Sequence, residues 1–225
     1  MRPYADLLRS PREGTAAVLS RGSLLAALAG VAVASAASAA AAARFAGEVR
    51  VQDVVFGPDR APVVDVLIGG LGVELTAAVV YLLERAFPWL LLATAFTPLF
   101  IWLLGASAIH GAARMLGARA PFRAMLVLAG HATAVARLPA EAAALLLGAG
   151  GGGAAPRIAQ LIGIASFAWL ALVAWHGVCR HYAVAGDRAV TVLGIALTLF
   201  YVVPGLVIAA SLVAVLIAAL VLGYV

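Results

Sequence analysis

Charged residues are scarce in this chain, at 11% of 225 residues, while 65% are hydrophobic and the mean hydropathy is +1.09. Soluble domains are about half apolar and carry about a quarter charged residues, so this composition predicts a polytopic membrane protein. A single cysteine, Cys179, excludes a disulfide within the chain. Lysine and asparagine are absent, and the net charge of +5 rests on fifteen arginines. No basic stripe with interleaved aromatic residues occurs, so we expect no nucleic-acid partner.

Long apolar runs predict five membrane-spanning helices, because about 20 apolar residues cross the bilayer and the backbone in hydrocarbon must bond within its own segment. A short segment, 1–21, precedes a membrane domain over 22–225. The predicted spans cover residues 22–43, 87–109, 122–147, 158–178 and 198–222. The predicted fold class is therefore all-α, a polytopic transmembrane helical bundle.

The first and the last of these predicted spans each have an alternative interpretation. The first could be a cleaved signal peptide, since AVASAASAA offers small-residue cleavage sites, but the long leader with Pro3, Asp6 and Pro11 favours a span. The last apolar run begins at residue 189 and is too long for one span. Its Pro204 predicts a kink after an interfacial or tilted start.

Residues 63–85 are long enough to span but hold Asp65, Glu74 and three glycines. Their apolar residues recur at helical spacing, which is typical of a helix lying in the membrane interface. With five spans and a cytoplasmic N-terminus, the inner segments hold nine arginines and three acidic residues; a sixth span over 63–83 changes the count to seven arginines inside and eight outside. The positive-inside rule therefore favours five spans of a cell-membrane protein, with the C-terminus outside and 63–85 interfacial.

The middle and end of the chain carry a recognisable pattern. A short basic loop of the Leu-Gly-x-x-x-x-Phe kind joins the second and third predicted spans, a Leu-Pro pair lies in the third, and an Arg-Ala pair follows the fourth. The residues are Leu116, Gly117, Phe122, Leu138, Pro139, Arg188 and Ala189. Over roughly 109–202, together with the leader DLLRSPREGTAAVLSRG, the chain resembles the Yip family of Ypt/Rab-interacting membrane proteins, especially its prokaryotic members.

The resemblance implies a five-span helical bundle with a cytoplasmic N-terminus, which agrees with the separate charge count. The chain departs from the family pattern in its third span and its leader: the aromatic-Ser-x-x-Pro element appears as His131, Ala132 and Val135 without its proline, and the leader lacks its Phe. Eukaryotic members bind small GTPases through a longer cytosolic N-terminal region with an acidic-Leu-Tyr-Gly-Pro motif. That motif is absent here, so GTPase binding is not expected.

Histidines are candidates for a cofactor site, because all four fall in the predicted cytoplasmic half of the membrane domain. His110, His131 and His176 could bind a metal or haem between helices. Histidines also frequent membrane interfaces, where the ring tip stays wet. No Cys-x-x-Cys or His-Glu-x-x-His motif accompanies them. We favour the interface interpretation and expect no cofactor.

The stretch WHGVCRHYAVAGDRAV (175–190) concentrates polar residues that the surrounding sequence lacks. His176 and Cys179 share a helical face, but His181 is turned well away from them. We interpret the stretch as a span exit, with Trp175 at the interface and Arg180 in the head groups. No nucleophile beside a base occurs, so no catalytic residue is predicted.

Arg137 and Glu141 lie four residues apart in the third predicted span. An intramembrane ionisable pair is a candidate functional site, for example in a transport path. Arg137 also lies near the predicted outer end, where an arginine can snorkel to water, and we favour that interpretation. A ladder of small residues at 30, 34, 38 and 42 permits close helix contact in the first span, although chance produces such ladders in Ala-rich segments.

The sequence thus favours a non-enzymatic integral membrane protein of Yip type. Its role would be membrane organisation, or that of a partner or scaffold for other membrane proteins, in contact with the lipid bilayer and with possible self-association. One alternative is a small transporter or channel, in which Arg137 and Glu141 would line a cavity. Another is a haem- or metal-binding membrane anchor of a redox complex, which a visible spectrum and metal analysis of the purified protein would test.

Overall fold

The computed structural model describes residues 2–48, 55–57, 62–147 and 154–221. These residues form long helices and, within those ranges, no strand, so the predicted all-α class is confirmed. The helices are α1 (Arg2–Arg9), α2 (Pro11–Arg21), α3 (Leu24–Glu48), α4 (Pro62–Ala95), α5 (Thr97–Met115), α6 (Phe122–Leu147), α7 (Ala154–His181) and α8 (Gly186–Val221).

The N-terminal segment folds as a pair of short helices. Ser10 caps α2, and its hydroxyl accepts a hydrogen bond from the Glu13 N–H at 3.4 Å. Pro11 stands at the first helical position, where its missing N–H costs nothing. Gly14 lets the two helices touch, because a Cβ there would lie 2.4 Å from the Cα of Leu7. Leu7 is consequently fully buried.

Two helices end in the same kind of turn. After α5, Gly117 has a φ of +87°, and the N–H of Ala118 bonds to the carbonyl of Ala113 at 3.0 Å. After α7, Ala183 has a φ of +50°, and the N–H of Val184 bonds to the carbonyl of Cys179 at 3.2 Å. Both turns satisfy the last helical carbonyls through a left-handed residue. The Leu-Gly of the basic loop is thus a helix stop signal.

Helix α4 differs from the sequence prediction in its boundaries. It runs from the predicted interfacial region, 63–85, into the first part of the predicted span over 87–109, and α5 begins only after a turn at Phe96. Gly72 interrupts the helix with a φ of +77°, and the Thr76 hydroxyl donates to the Gly72 carbonyl at 2.7 Å. The break therefore lies at glycine, whose missing Cβ permits this conformation.

Four of the described helices are long and apolar enough to cross a membrane: α3, α4, α7 and α8. The qualifying stretches are Leu24–Gly47, Ile68–Ala95, Ala154–His181 and Gly186–Leu206. Helix α6 is not among them, since His131, Arg137 and Glu141 lower its hydropathy. The multi-pass membrane class is therefore supported, and the number of five spans stays a prediction.

The chain divides into two compact units, and helices α3, α5, α6 and α7 each have residues in both. One comprises Met1–Ala27, Ile101–Ala132 and Ala171–Val225, and the other comprises Leu28–Phe100 and Thr133–Leu170. Each unit has its own core. The first buries Leu7, Val18, Met125, Leu128, Val173 and Val178, and the second buries Val31, Ala34, Thr76, Val80 and Ala134.

Glycines allow the helices of the first unit to approach closely. A Cβ on Gly177 of α7 would lie 2.4 Å from a methyl carbon of Leu128 and 4.0 Å from the methyl of Thr15. A Cβ on Gly130 of α6 would lie 2.7 Å from that of Ala27. Small residues at such contacts are how membrane helices gain van der Waals packing when lipid offers no hydrophobic driving force between them. Through Thr15, the N-terminal helices belong to this packing.

Replacing Gly14 with alanine tests whether the N-terminal helices are part of the fold. The new methyl group would overlap the backbone of Leu7, so we expect α1 to separate from α2 at a cost of about 1–3 kcal/mol. Trypsin should then cut at Arg9 and Arg12 well before the rest of the chain. As a control, Gly194→Ala meets no atom within 4 Å and should leave the cleavage rate unchanged. Equal cleavage of G14A and G194A would contradict the docking.

Candidate functional site

The second unit contains a buried polar cluster that joins α3 to α6. The Ser38 hydroxyl donates to Oε1 of Glu141 at 2.7 Å. The Arg137 guanidinium forms an ion pair with the same carboxylate oxygen, and its Nη2 lies 3.5 Å from the Ser38 hydroxyl oxygen. Ser38 is 3% exposed and Glu141 is 7% exposed. The three side chains therefore bind one another, with Ser38 and Glu141 buried and the Arg137 side chain 18% exposed.

The geometry of this cluster follows from its helices. Arg137 and Glu141 are one turn apart on α6, so their side chains lie on the same face. Ser38 reaches them because the small-residue face of α3 turns inward: Ala34 and Ala42 are buried beside it on the same face. The Arg137 guanidinium turns to Glu141, while its side chain is 18% exposed, and the snorkelling of Arg137 to water stays a prediction. Its Nε is buried without a hydrogen-bond partner among the described residues.

Little space surrounds the cluster. The cavity beside Arg137 has a volume of about 10 Å³, with Phe167 and Leu170 of α7 in its wall. A buried water needs at least about 10–15 Å³ of this kind of volume, so the cavity has room for about one water molecule. The arrangement can hold a charge pair in apolar surroundings, and this cavity has no room for a solute larger than water.

Sequence reasoning identified Arg137 and Glu141 and missed the third member of the cluster. Ser38 does lie on the ladder of small residues in α3, which was a signal for close helix contact. The ladder alone could not point to α6 as its neighbour, because most of α3 consists of small residues.

His131 lies in the first unit and contacts the N-terminal segment. It is 1% exposed, its Nδ1 lies 2.9 Å from the Val127 carbonyl, and its ring centroid lies 4.7 Å from that of Tyr4. The carbonyl can only accept, so the Nδ1 carries the proton. Nε2 is buried without a hydrogen-bond partner in the part of the chain that the structure describes. The Tyr4 hydroxyl donates to the Ala26 carbonyl at 2.5 Å, which ties α1 to the start of α3.

The other candidate histidines have separate surroundings. Nδ1 of His110 lies 2.9 Å from the Tyr182 hydroxyl, and its ring centroid lies 5.1 Å from that of Phe122. Burial raises the pKa of the Tyr182 hydroxyl, which therefore keeps its proton. His176 lies against Trp175, with ring centroids 4.8 Å apart. Among the residues described, no group of three His, Cys, Asp or Glu side chains is placed to hold a metal ion.

The stretch 175–190 forms a corner between α7 and α8. The Trp175 indole donates to the Gly186 carbonyl at 3.2 Å, and Nε2 of His181 lies 3.0 Å from the Pro121 carbonyl oxygen. Because the Pro121 carbonyl has no hydrogen to give, His181 must be the donor. The first hydrogen bond holds α7 and α8 together at the corner, and the second attaches the corner to the loop before α6.

Separating the two charges of the polar cluster should destabilise the second unit. We expect Glu141→Leu or Arg137→Leu alone to lower the free energy of unfolding by on the order of 3 kcal/mol, since each leaves an uncompensated buried charge. The double variant R137L/E141L should recover much of that loss. The measurement is a double-mutant cycle of unfolding in detergent micelles.

A matched control is available for this cycle. Arg157 on α7 is exposed, and Arg157→Leu should change the stability by less than about 0.5 kcal/mol. Additive effects of the two cluster substitutions would contradict a coupled pair.

Comparison with known proteins connects this architecture to a family. Searches of curated proteins and of solved structures find no match to the chain. A family model, the Yip1 domain, matches residues 5–207, which include the N-terminal helices, the polar cluster and the corner between α7 and α8. Because the match covers most of the chain, the protein belongs to the Yip family of membrane proteins, as its sequence pattern predicted.

Proposed function

We propose that this protein is a non-enzymatic Yip-family membrane protein of prokaryotic type. It organises the membrane, or holds other membrane proteins, through its lipid-facing helices. The observation that supports the proposal is that the polar side chains of the cluster bind one another within the protein. Arg137, Glu141 and Ser38 bind one another beside a cavity with room for about one water molecule. A transport path or a reaction centre would instead present such groups to a solute.

The lipid-facing surface supplies the second support. Leu25, Trp89 and Leu197 are respectively 77%, 72% and 58% exposed. Exposed large apolar residues lie on all four helices that are apolar enough to span a membrane, since Leu161 of α7 is 65% exposed as well. Helix faces that are not buried against the rest of the chain contact lipid or another membrane helix. We propose that other membrane proteins, or a second copy of the chain, pack against part of this surface.

The proposed topology has five spans in the cell membrane, a cytoplasmic N-terminus and an external C-terminus. Its support is the meeting of the arginine-rich segments in the first unit. His110 lies at Tyr182, His181 lies at the Pro121 carbonyl, and Arg21 and Arg180 line one cavity. Segments in contact at helix ends lie on one side of the membrane. Together they hold the arginine excess that the positive-inside rule assigns to the cytoplasm.

Photo-crosslinking in native membranes tests the partner role. A photoreactive amino acid at Leu25, Trp89 or Leu197 should give discrete adducts with a membrane protein or with a second copy from at least one of these positions. The same group at Leu128, which is 1% exposed, should give none. Mass spectrometry of the adducts identifies the partner. Adducts with lipid alone from all three exposed positions would contradict the proposal.

Cysteine labelling tests the topology independently. In a Cys179→Ala background, Leu116→Cys places a thiol in the exposed loop between α5 and α6, and Gly47→Cys places one near the end of α3, where a side chain meets no atom within 4 Å. In intact cells, a membrane-impermeant maleimide should react with G47C and spare L116C. In inside-out vesicles the pattern should reverse. Labelling of L116C from outside would contradict the cytoplasmic N-terminus.

A further inference from the structure

A charged cavity of about 520 Å³ opens in the first unit, between the N-terminal helices and the end of α7. Arg9, Arg21 and Arg180 contribute guanidinium groups to its wall, and Asp6 and Glu13 contribute carboxylates. Ligand pockets commonly measure about 300–1,000 Å³, so this cavity has the size of a small-molecule site. It is separate from the Ser38–Arg137–Glu141 cluster, which lies in the other unit.

The charged side chains described around this cavity do not form ion pairs with one another. In the part of the chain that the structure describes, none of these five charged side chains forms an ion pair. Three guanidinium groups and two carboxylates therefore present charges of both signs to a ligand. Guanidinium groups present several N–H donors in a fixed plane, a geometry that suits phosphate oxygens. The cavity therefore favours a ligand with a phosphate and, beside it, a cationic group for the carboxylates.

The position of the cavity along the helices indicates where that phosphate comes from. Arg21 precedes by three residues the apolar stretch that begins at Leu24, and Arg180 lies in the last turn of the stretch that ends at His181. Arginines at the ends of membrane helices lie at the level of the lipid head groups. The phosphates present at that level are those of phospholipids.

We propose that this cavity binds the head group of phosphatidylethanolamine. Arg9, Arg21 and Arg180 donate hydrogen bonds to its phosphate, which carries one negative charge, and Asp6 and Glu13 accept from its ammonium group. Phosphatidylglycerol offers the same phosphate without the ammonium group, so its head group gives Asp6 and Glu13 no charged hydrogen-bond donor. Phosphatidylcholine offers a cation without N–H donors. The residues thus predict a preference among lipids as well as binding.

The test is a titration of the delipidated full-length protein with short-chain phospholipids, with the bound lipid counted by native mass spectrometry. The probes are phosphatidylethanolamine, phosphatidylglycerol and phosphatidylcholine with the same acyl chains. The variant Arg9→Gln/Arg180→Gln removes two of the three phosphate ligands, and we expect its affinity for phosphatidylethanolamine to fall by at least about tenfold. The control, Arg119→Gln, removes one exposed arginine from the neighbouring loop and should bind as the wild type does.

A second variant tests the carboxylates. Asp6→Asn/Glu13→Gln should lose the preference for phosphatidylethanolamine over phosphatidylglycerol while still binding both. Circular dichroism and the thermal midpoint of each variant check that it is folded. Equal affinities of wild type, R9Q/R180Q and R119Q for phosphatidylethanolamine would overturn the proposal. So would equal binding of the three lipids to the wild type.

Free O-phosphoethanolamine separates a lipid site from a site for a soluble phosphate compound. If the membrane lipid is the ligand, the soluble compound should displace the short-chain lipid only at concentrations about a hundredfold above that of the lipid, because the acyl chains add apolar burial beside the helices. Displacement at equal concentrations would overturn the lipid as the ligand.

Discussion

A carboxylate and a guanidinium held among apolar helices need partners within the protein, because apolar side chains do not replace the hydration that the two charges lose. In this protein Glu141 meets that requirement with Arg137 on its own helix and Ser38 on α3. The requirement fixes how α3 is turned, since only the face that carries Ser38 can reach α6. The same rotation of α3 buries Ala34, which lies on the face that carries Ser38.

In the first unit, glycines let the helix backbones approach one another closely. Gly14, Gly130 and Gly177 each stand where a Cβ would overlap a neighbouring residue. The missing side chain at Gly130 also makes room for the indole of Trp102, which donates to the Leu126 carbonyl at 2.7 Å. These contacts make the short N-terminal helices an integral part of the membrane domain, because Leu7 and Thr15 lie fully buried in it.

Because the polar groups of the cluster hold the protein's own helices together, we propose that the protein acts through its surface. The apolar flanks of α3, α4 and α8 are available to lipid and to other membrane proteins, and the charged cavity at the helix ends is available to head groups. The two proposals rest on different residues, so each can fail without the other. Together they describe a protein whose function is to arrange its surroundings in the membrane.

Membership of the Yip family fits this view without deciding it. The family match covers both the N-terminal helices and the helices that carry the polar cluster. The chain keeps the basic loop whose Gly117 ends α5, and it replaces the proline of the family's third-span motif with Val135. In the structure Val135 lies within α6 and is 5% exposed, so a well-packed side chain occupies this position.

The sequence by itself determined the all-α membrane class, the family and the one-turn spacing of Arg137 and Glu141 on a helix, whereas the tertiary structure showed that the two side chains form an ion pair. Composition, apolar run length and one-turn spacing are local properties that do not depend on the arrangement of the helices. Only the tertiary structure decided that Ser38, 103 residues from Glu141, completes the cluster and that Tyr4 lies on His131. It also gave His110, His131 and His176 different surroundings and gathered Arg9, Arg21 and Arg180 around one cavity. The physical reason is that Ala-rich helices show no strong apolar face, so their rotations and neighbours are set by packing contacts between residues far apart in the chain.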